Sequence, residues 1–63
     1  MKINGKDYNH DSLSLMDFLK DHQLDPKHVV VEINQEILNK AAFDHHVIQK
    51  DDVVEIVSFV GGG

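Results

Sequence analysis

The last apolar run, Val53 to Val60, constrains the fold more than any other stretch. Its residues alternate: Val54 and Ile56 share one face, and Val53, Glu55, Val57 and Phe59 share the other. That two-residue period is a strand's. A strand so rich in β-branched residues, left on a sheet edge, invites pairing with another chain. It therefore belongs in the middle of a sheet, beside the first strand, and the pattern alone leaves open whether the two run parallel or antiparallel. Directly after it the sequence reads Gly61-Gly62-Gly63. These glycines have no side chains to bury, bond or ionise, and glycine loses the most freedom on ordering. Folding gives them no role beyond that of a frayed end. Chemistry does: a bare tail can thread a tunnel too narrow for a Cβ and deliver an α-carboxylate.

The rest of the chain must supply a sheet around that strand and a cover for it. With 63 residues there is room for one domain with a modest core. Cysteine is absent, so neither disulfides nor thiolate metal sites can staple it, and the composition is compatible with a reducing, cytoplasmic setting. Asn4-Gly5 is a strong hairpin signal, because both residues tolerate the positive φ of a type I′ turn. Residues 1 to 10 are thus expected to form a hairpin with Ile3 and Tyr8 as its apolar anchors. A helix is expected over 14–23. Ser14 is its N-cap, Asp17 a short capping-box partner, and Leu13 and Phe18 a hydrophobic staple. Leu15, Phe18, Leu19 and His22 form its apolar stripe, and Pro26 prevents continuation. Val29 to Ile33 is the most strand-like run, with Val29, Val31 and Ile33 on one face. Asn34-Gln35 turns the chain into a short strand, Glu36 to Leu38. Residues 39–46 read as a loose turn or short helix with Ala42 and Phe43 inward. Val47-Ile48 reads as a small strand or packed loop, and Lys50-Asp51-Asp52 as a polar turn.

Charge and residue types exclude several functions. The formal net charge is −5, opposite to what phosphate neutralisation on nucleic acid requires. No apolar run has the length of a membrane span, and the first residues lack a signal peptide's apolar stretch. Five histidines raise the question of a metal. However, His45 and His46 are adjacent and would diverge by about 100° on a helix, while His10, His22 and His28 show no ligand spacing. The Asp17/Asp21 pair has the character of a solvated helix face rather than an acid/base pair. Ser14 is better explained as a cap than as a nucleophile. Gly5 stands alone, so there is no glycine-rich phosphate loop. No catalytic residue, metal site or cofactor is expected.

Four stretches together carry a family resemblance: Met1-Lys2-Ile3-Asn4-Gly5-Lys6, Leu15-Met16-Asp17-Phe18-Leu19, Val29-Val30-Val31-Glu32-Ile33-Asn34, and Phe59-Val60-Gly61-Gly62-Gly63. They span the chain, and the ending is the most specific. The chain resembles the ubiquitin-like β-grasp proteins and, within them, the ThiS family of thiamine-biosynthesis sulfur carriers. The resemblance implies an α+β fold: a mixed four- to five-stranded sheet, one main helix on one face, and the last strand parallel to the first. It implies a β-grasp domain over 1–60 and a flexible glycine tail over 61–63. Where the family often has Asn-Gly after the third strand, this chain has Asn34-Gln35. Where it often has Asp-Gly-Asp before the last strand, this chain has Lys50-Asp51-Asp52, which would place slight strain on Asp51 if that turn needs positive φ.

The function implied is that of a carrier and not an enzyme. The Gly63 carboxylate would be adenylated with ATP by a ThiF-type adenylyltransferase, related to ubiquitin-activating enzymes. Sulfur from a donor such as a cysteine desulfurase would convert it to a thiocarboxylate, and a ThiG-type thiazole synthase would accept that sulfur. Gly61 and Gly62 would thread the partner's active site. On the outer face of the last strand, Val57 and Phe59 are candidates for partner docking, with Glu32 and Glu55 steering toward a basic groove. Two alternatives stand beside this. One is the small subunit of molybdopterin synthase, which shares the chemistry but is usually longer. The other is a β-grasp interaction module with an inert tail.

Overall fold

In the computed structural model, residues 1–59 are described. Seven strands and one α-helix follow in chain order: β1 (Lys2–Ile3), β2 (Lys6–Asp7), β3 (Ser12–Ser14), α1 (Leu15–Asp21), β4 (Val29–Ile33), β5 (Glu36–Ile37), β6 (Val47–Gln49) and β7 (Val53–Ser58). Five strands form one mixed sheet in the order β2-β1-β7-β4-β5. The last strand is its centre, as its alternation requires. It runs parallel to β1, with Lys2 beside Val53 and Ile3 beside Val54. It runs antiparallel to β4 over the whole length of β4, from Val29 opposite Ser58 to Ile33 opposite Val54.

One face of this sheet is sealed. Leu15, Phe18 and Leu19 of α1 are buried with Ile3, Val29, Val31, Val54 and Ile56 of the strands, and with Phe43 and Ile48 from the later segments. Ser14 caps α1 by accepting from the Asp17 main-chain N–H at 3.3 Å, which satisfies one of the free first-turn donors. At the other end His22 is the C-cap rather than a member of the buried stripe. It stacks on Phe18 with ring centroids 4.0 Å apart, and its Nδ1 lies 3.0 Å from the Phe18 carbonyl oxygen. The helix is accordingly shorter than the expected 14–23.

Two features depart from the sequence reading. Ser12–Ser14, expected as the approach to the helix, pairs antiparallel with Val47–Gln49, setting Leu13 opposite Ile48. This second small sheet folds the later segment over the core and places Ile48 at zero exposure. The other departure is the location of backbone strain. Asp51 does not have positive φ; Gln35 does, at +72°, following Asn34 at +52°. Both two-residue hairpins, Asn4-Gly5 (φ +52° and +80°) and Asn34-Gln35, thus have positive φ at both central positions. This is the type I′ pattern that matches strand twist. The second hairpin places a long side chain where glycine is the unstrained choice.

Candidate functional site

The site begins with what holds β7, because β7 leads to the glycines. β1 ends at Ile3, one residue before the turn, and its ladder with β7 would end there. The Asn4 side chain extends it: its Oδ1 accepts from the Ile56 N–H at 2.7 Å and its Nδ2 donates to the Ile56 carbonyl at 3.2 Å. A side-chain amide thus does the work of a peptide group. Asn34 plays the matching part on the other edge. Its Oδ1 accepts from Val53 N–H at 2.9 Å, its own N–H donates to the Val53 carbonyl at 2.7 Å, and its Nδ2 donates to Asp52 Oδ1 at 3.0 Å. Asp52 Oδ2 also accepts from Gln49 N–H at 2.8 Å, which closes the turn before β7. Each type I′ hairpin therefore contributes its asparagine to the central strand.

Along β7 the inward residues Val54 and Ile56 are in the core, while the outward ones face solvent. Val57 is 61% exposed and Phe59, just beyond the strand, 44%. Both lie on the exposed side of the last strand, as the sequence reading expected. Val30 stands directly across from Val57, and Glu32 directly across from Glu55. The outer face thus joins an apolar strip, Val30, Val57 and Phe59, to a pair of carboxylates. Lys2 does not neutralise that pair. Its Nζ lies 4.0 Å from Asp7 in an exposed contact of the kind that contributes little.

Phe59 has neighbours that the sequence reading did not single out. Its N–H donates to the His28 carbonyl at 2.9 Å. The His28 ring stands edge-on to the Phe59 ring at 6.1 Å, and Lys40 Nζ lies 5.6 Å from that ring's centroid. The available signal was the pair of Asx caps, Asp25 before Pro26 and Asn39 before Lys40, each marking a short turn. Gly61, Gly62 and Gly63 lie outside the described residues, as does the expected 60/61 boundary.

The remaining candidates do not converge. Among the described residues no three His, Cys, Asp or Glu side chains are grouped as metal ligands would be. His22 rests on Phe18, and His28 Nδ1 is 3.3 Å from Asp25 Oδ2. Asp17 and Asp21 are both exposed. A shallow open recess lined by Asn34, Gln35 and Val53 lies at the start of β7, away from its exit. No helix among the described residues is long and apolar enough to cross a membrane.

The family model described as "ThiS family" matches residues 1–63. The chain belongs to the ThiS family. With that membership it is a sulfur carrier rather than a catalyst. It is 42% identical to the sulfur carrier protein ThiS of Bacillus subtilis strain 168, covering 100% of this chain and 98% of that one. It is also 32% identical to part of a thiazole synthase of Magnetococcus marinus, covering 97% of this chain and 19% of that protein. Among solved structures, the crystal structure of a thiamine biosynthesis protein (ThiS) from Geobacter metallireducens superposes with a TM-score of 0.72. The sequences are 33% identical, with 98% of this chain and 96% of that one covered. The β-grasp expectation, with its mixed sheet and single packed helix, holds.

Proposed function

We propose that this ThiS-family protein carries sulfur for thiazole formation in thiamine biosynthesis as a thiocarboxylate on Gly63, with Gly61 and Gly62 threading the active sites of its partners. The observation that carries this reading is the position of β7. It is the central strand, tied on both edges by Asn4 and Asn34, and in sequence it is followed by Phe59, Val60 and the three glycines. A tail rooted in the most constrained strand transmits the docking of the domain to its end, so a partner that grips the outer face also places the carboxylate.

A carboxylate is a poor electrophile because its charge repels nucleophiles. Attack of a Gly63 carboxylate oxygen on the α-phosphorus of ATP expels pyrophosphate and leaves an acyl adenylate. A persulfide's terminal sulfur then attacks the acyl carbon and AMP departs. Cleavage of the resulting acyl disulfide by a thiol leaves the thiocarboxylate. A ThiF-type adenylyltransferase, a cysteine desulfurase as donor and a ThiG-type thiazole synthase as acceptor supply these steps in the cytoplasm. The likeness to a segment of thiazole synthases supports the last of these partners, since carrier and synthase act in succession. Val57 and Phe59, flanked by Val30, form the docking strip. The Glu32–Glu55 pair favours a partner whose rim is basic, because like charges directly opposite on neighbouring strands are relieved by a cation between them.

The test is the intact mass after incubation with ATP, cysteine, a cysteine desulfurase and the adenylating enzyme. A gain equal to exchange of one oxygen for sulfur, located to Gly63 by fragmentation and dependent on ATP, is the expected result. No gain with an adenylating enzyme competent on another carrier would refute it in favour of an interaction module with an inert tail.

A further inference from the structure

Two short 3-10 turns, Pro26–His28 and Lys40–Ala42, contain no buried residue themselves, and each runs directly into a core residue, Val29 and Phe43. Each is held in shape. Asp25 Oδ1 accepts from Lys27 N–H at 2.9 Å, and Asn39 Oδ1 accepts from Ala41 N–H at 2.8 Å. Both turns converge on Phe59. The first supplies the His28 carbonyl to the Phe59 N–H and the His28 ring to the edge of the Phe59 ring. Asp25 Oδ2 in turn lies 3.3 Å from His28 Nδ1. The second turn supplies Lys40, whose Nζ faces the Phe59 ring and also donates to the Lys27 carbonyl at 2.8 Å. That bond ties one turn to the other. The pairing of β4 with β7 ends at Val29 opposite Ser58, so the turns continue the support of the chain where β4 gives out.

We propose that Lys40 and His28 are positioning residues of the carrier tail. They fix the ring and backbone of Phe59, and so the direction in which the chain leaves the sheet toward Gly61-Gly62-Gly63. This rests on the carrier reading above. A chain aimed in advance is competent for threading in a larger fraction of molecules, and apparent affinity scales with that fraction. Lys40 acts through the Phe59 ring, which draws the cation electrostatically, and Phe59 in turn presents its exposed side to the partner.

The test compares carrier variants in ATP–pyrophosphate exchange catalysed by the adenylating enzyme. Lys40→Met keeps the aliphatic stem and removes the cation. It is expected to raise KM for the carrier roughly two- to five-fold, the effect of losing one exposed cation–π contact, with kcat and the melting temperature unchanged. Lys40→Arg is expected to restore the wild-type KM. Phe59→Leu removes the π face while keeping an apolar side chain, and in that background Lys40→Met should have a smaller effect, limited to the lost tie to the Lys27 carbonyl. An equal rise in KM in the Phe59→Leu background would show Lys40 contacting the partner directly and overturn the proposal, as would an unchanged KM in Lys40→Met alone. In the free protein, Lys40→Met and His28→Ala should each speed hydrogen exchange at the Phe59 amide. Unchanged exchange there would refute the support itself. A wild-type carrier that is inert in pyrophosphate exchange would instead refute the carrier reading.

Discussion

Asn4 is the residue at which hairpin geometry and support of the tail strand meet, and its replacement gives the sharpest test of the fold. Two substitutions separate its contributions. Asn4→Gly keeps a residue that adopts φ +52° freely and removes both bonds to Ile56. A net hydrogen bond contributes roughly 0.5–1.5 kcal/mol. The Asn4 residue is exposed while the bonds are partly buried, so water recovers part of the loss. The expected cost is about 1–2 kcal/mol. Asn4→Ala removes the same bonds and also forces an alanine into the left-handed region, which adds about 1 kcal/mol. A domain of this size holds roughly 3–9 kcal/mol in total, so Asn4→Ala removes a large share of it. The melting temperature should fall by roughly 10–20 °C, at about 4–8 °C per kcal/mol for a small domain. Urea unfolding followed by far-UV circular dichroism measures both variants, with an unchanged m-value showing that the unfolded state is not the cause. If Asn4→Gly lies within about 0.5 kcal/mol of wild type, the range of an ordinary surface change, the side-chain amide is not extending the ladder. The account of β7 as a strand clamped on both edges then fails on the β1 side.

Three further outcomes follow from the same geometry. Gln35→Gly should raise stability by about 0.5–1 kcal/mol in the same urea assay, because it relieves positive φ without removing a described hydrogen bond; a loss would mean the Gln35 side chain makes a contact that offsets its strain. Val57→Asp should leave the melting temperature near wild type, since the side chain is 61% exposed, yet raise KM for adenylation by at least about five-fold if Val57 sits at the centre of the docking strip. An unchanged KM would exclude that surface. Appending one residue after Gly63 should abolish thiocarboxylate formation by mass spectrometry while leaving the unfolding curve intact, and a sulfur gain on the extended protein would rule out the tail chemistry.

What the sequence made legible and what it hid have separate physical causes. The alternation of β7 and the β-branched run of β4 are strong signals because one face of each strand is committed to the core over five or six residues. The Asn4-Gly5 turn is equally plain, since few dipeptides accept positive φ twice. The β3–β6 sheet was hidden because three residues are too few to show a period, and its partners are far apart in sequence: Leu13 meets Ile48. Strain was expected at Asp51 because that turn lacks the family's glycine. The second hairpin, however, keeps its type I′ shape despite lacking glycine too, held by the bonds of Asn34 to Val53 and Asp52. A local rule read one turn at a time cannot see that the tertiary bonds of Asn34 compel its neighbour Gln35. The support around Phe59 was hidden for the same reason, because His28 and Lys40 meet it only after the sheet has formed.

The central strand also separates the residues that hold so small a domain together from those free to vary. In β7 the residues that hold the core, Val54 and Ile56, alternate with those that face solvent, Val53, Glu55 and Val57. The two sets share a backbone but no side-chain environment. A change at an outward position meets solvent in the free protein and should shift stability by no more than about 0.5 kcal/mol, so recognition can vary while the fold stays fixed. The inward positions have no such freedom, because they press against Leu15, Phe18 and Leu19 of the only α-helix described. Register protects this division: a slip of one residue would turn Val54 and Ile56 outward and bury Glu55. Asn4 and Asn34 bind defined positions of β7 from opposite edges, and neither bond survives such a slip. The two asparagines thus set which face of the strand is turned to solvent as well as holding the strand in place.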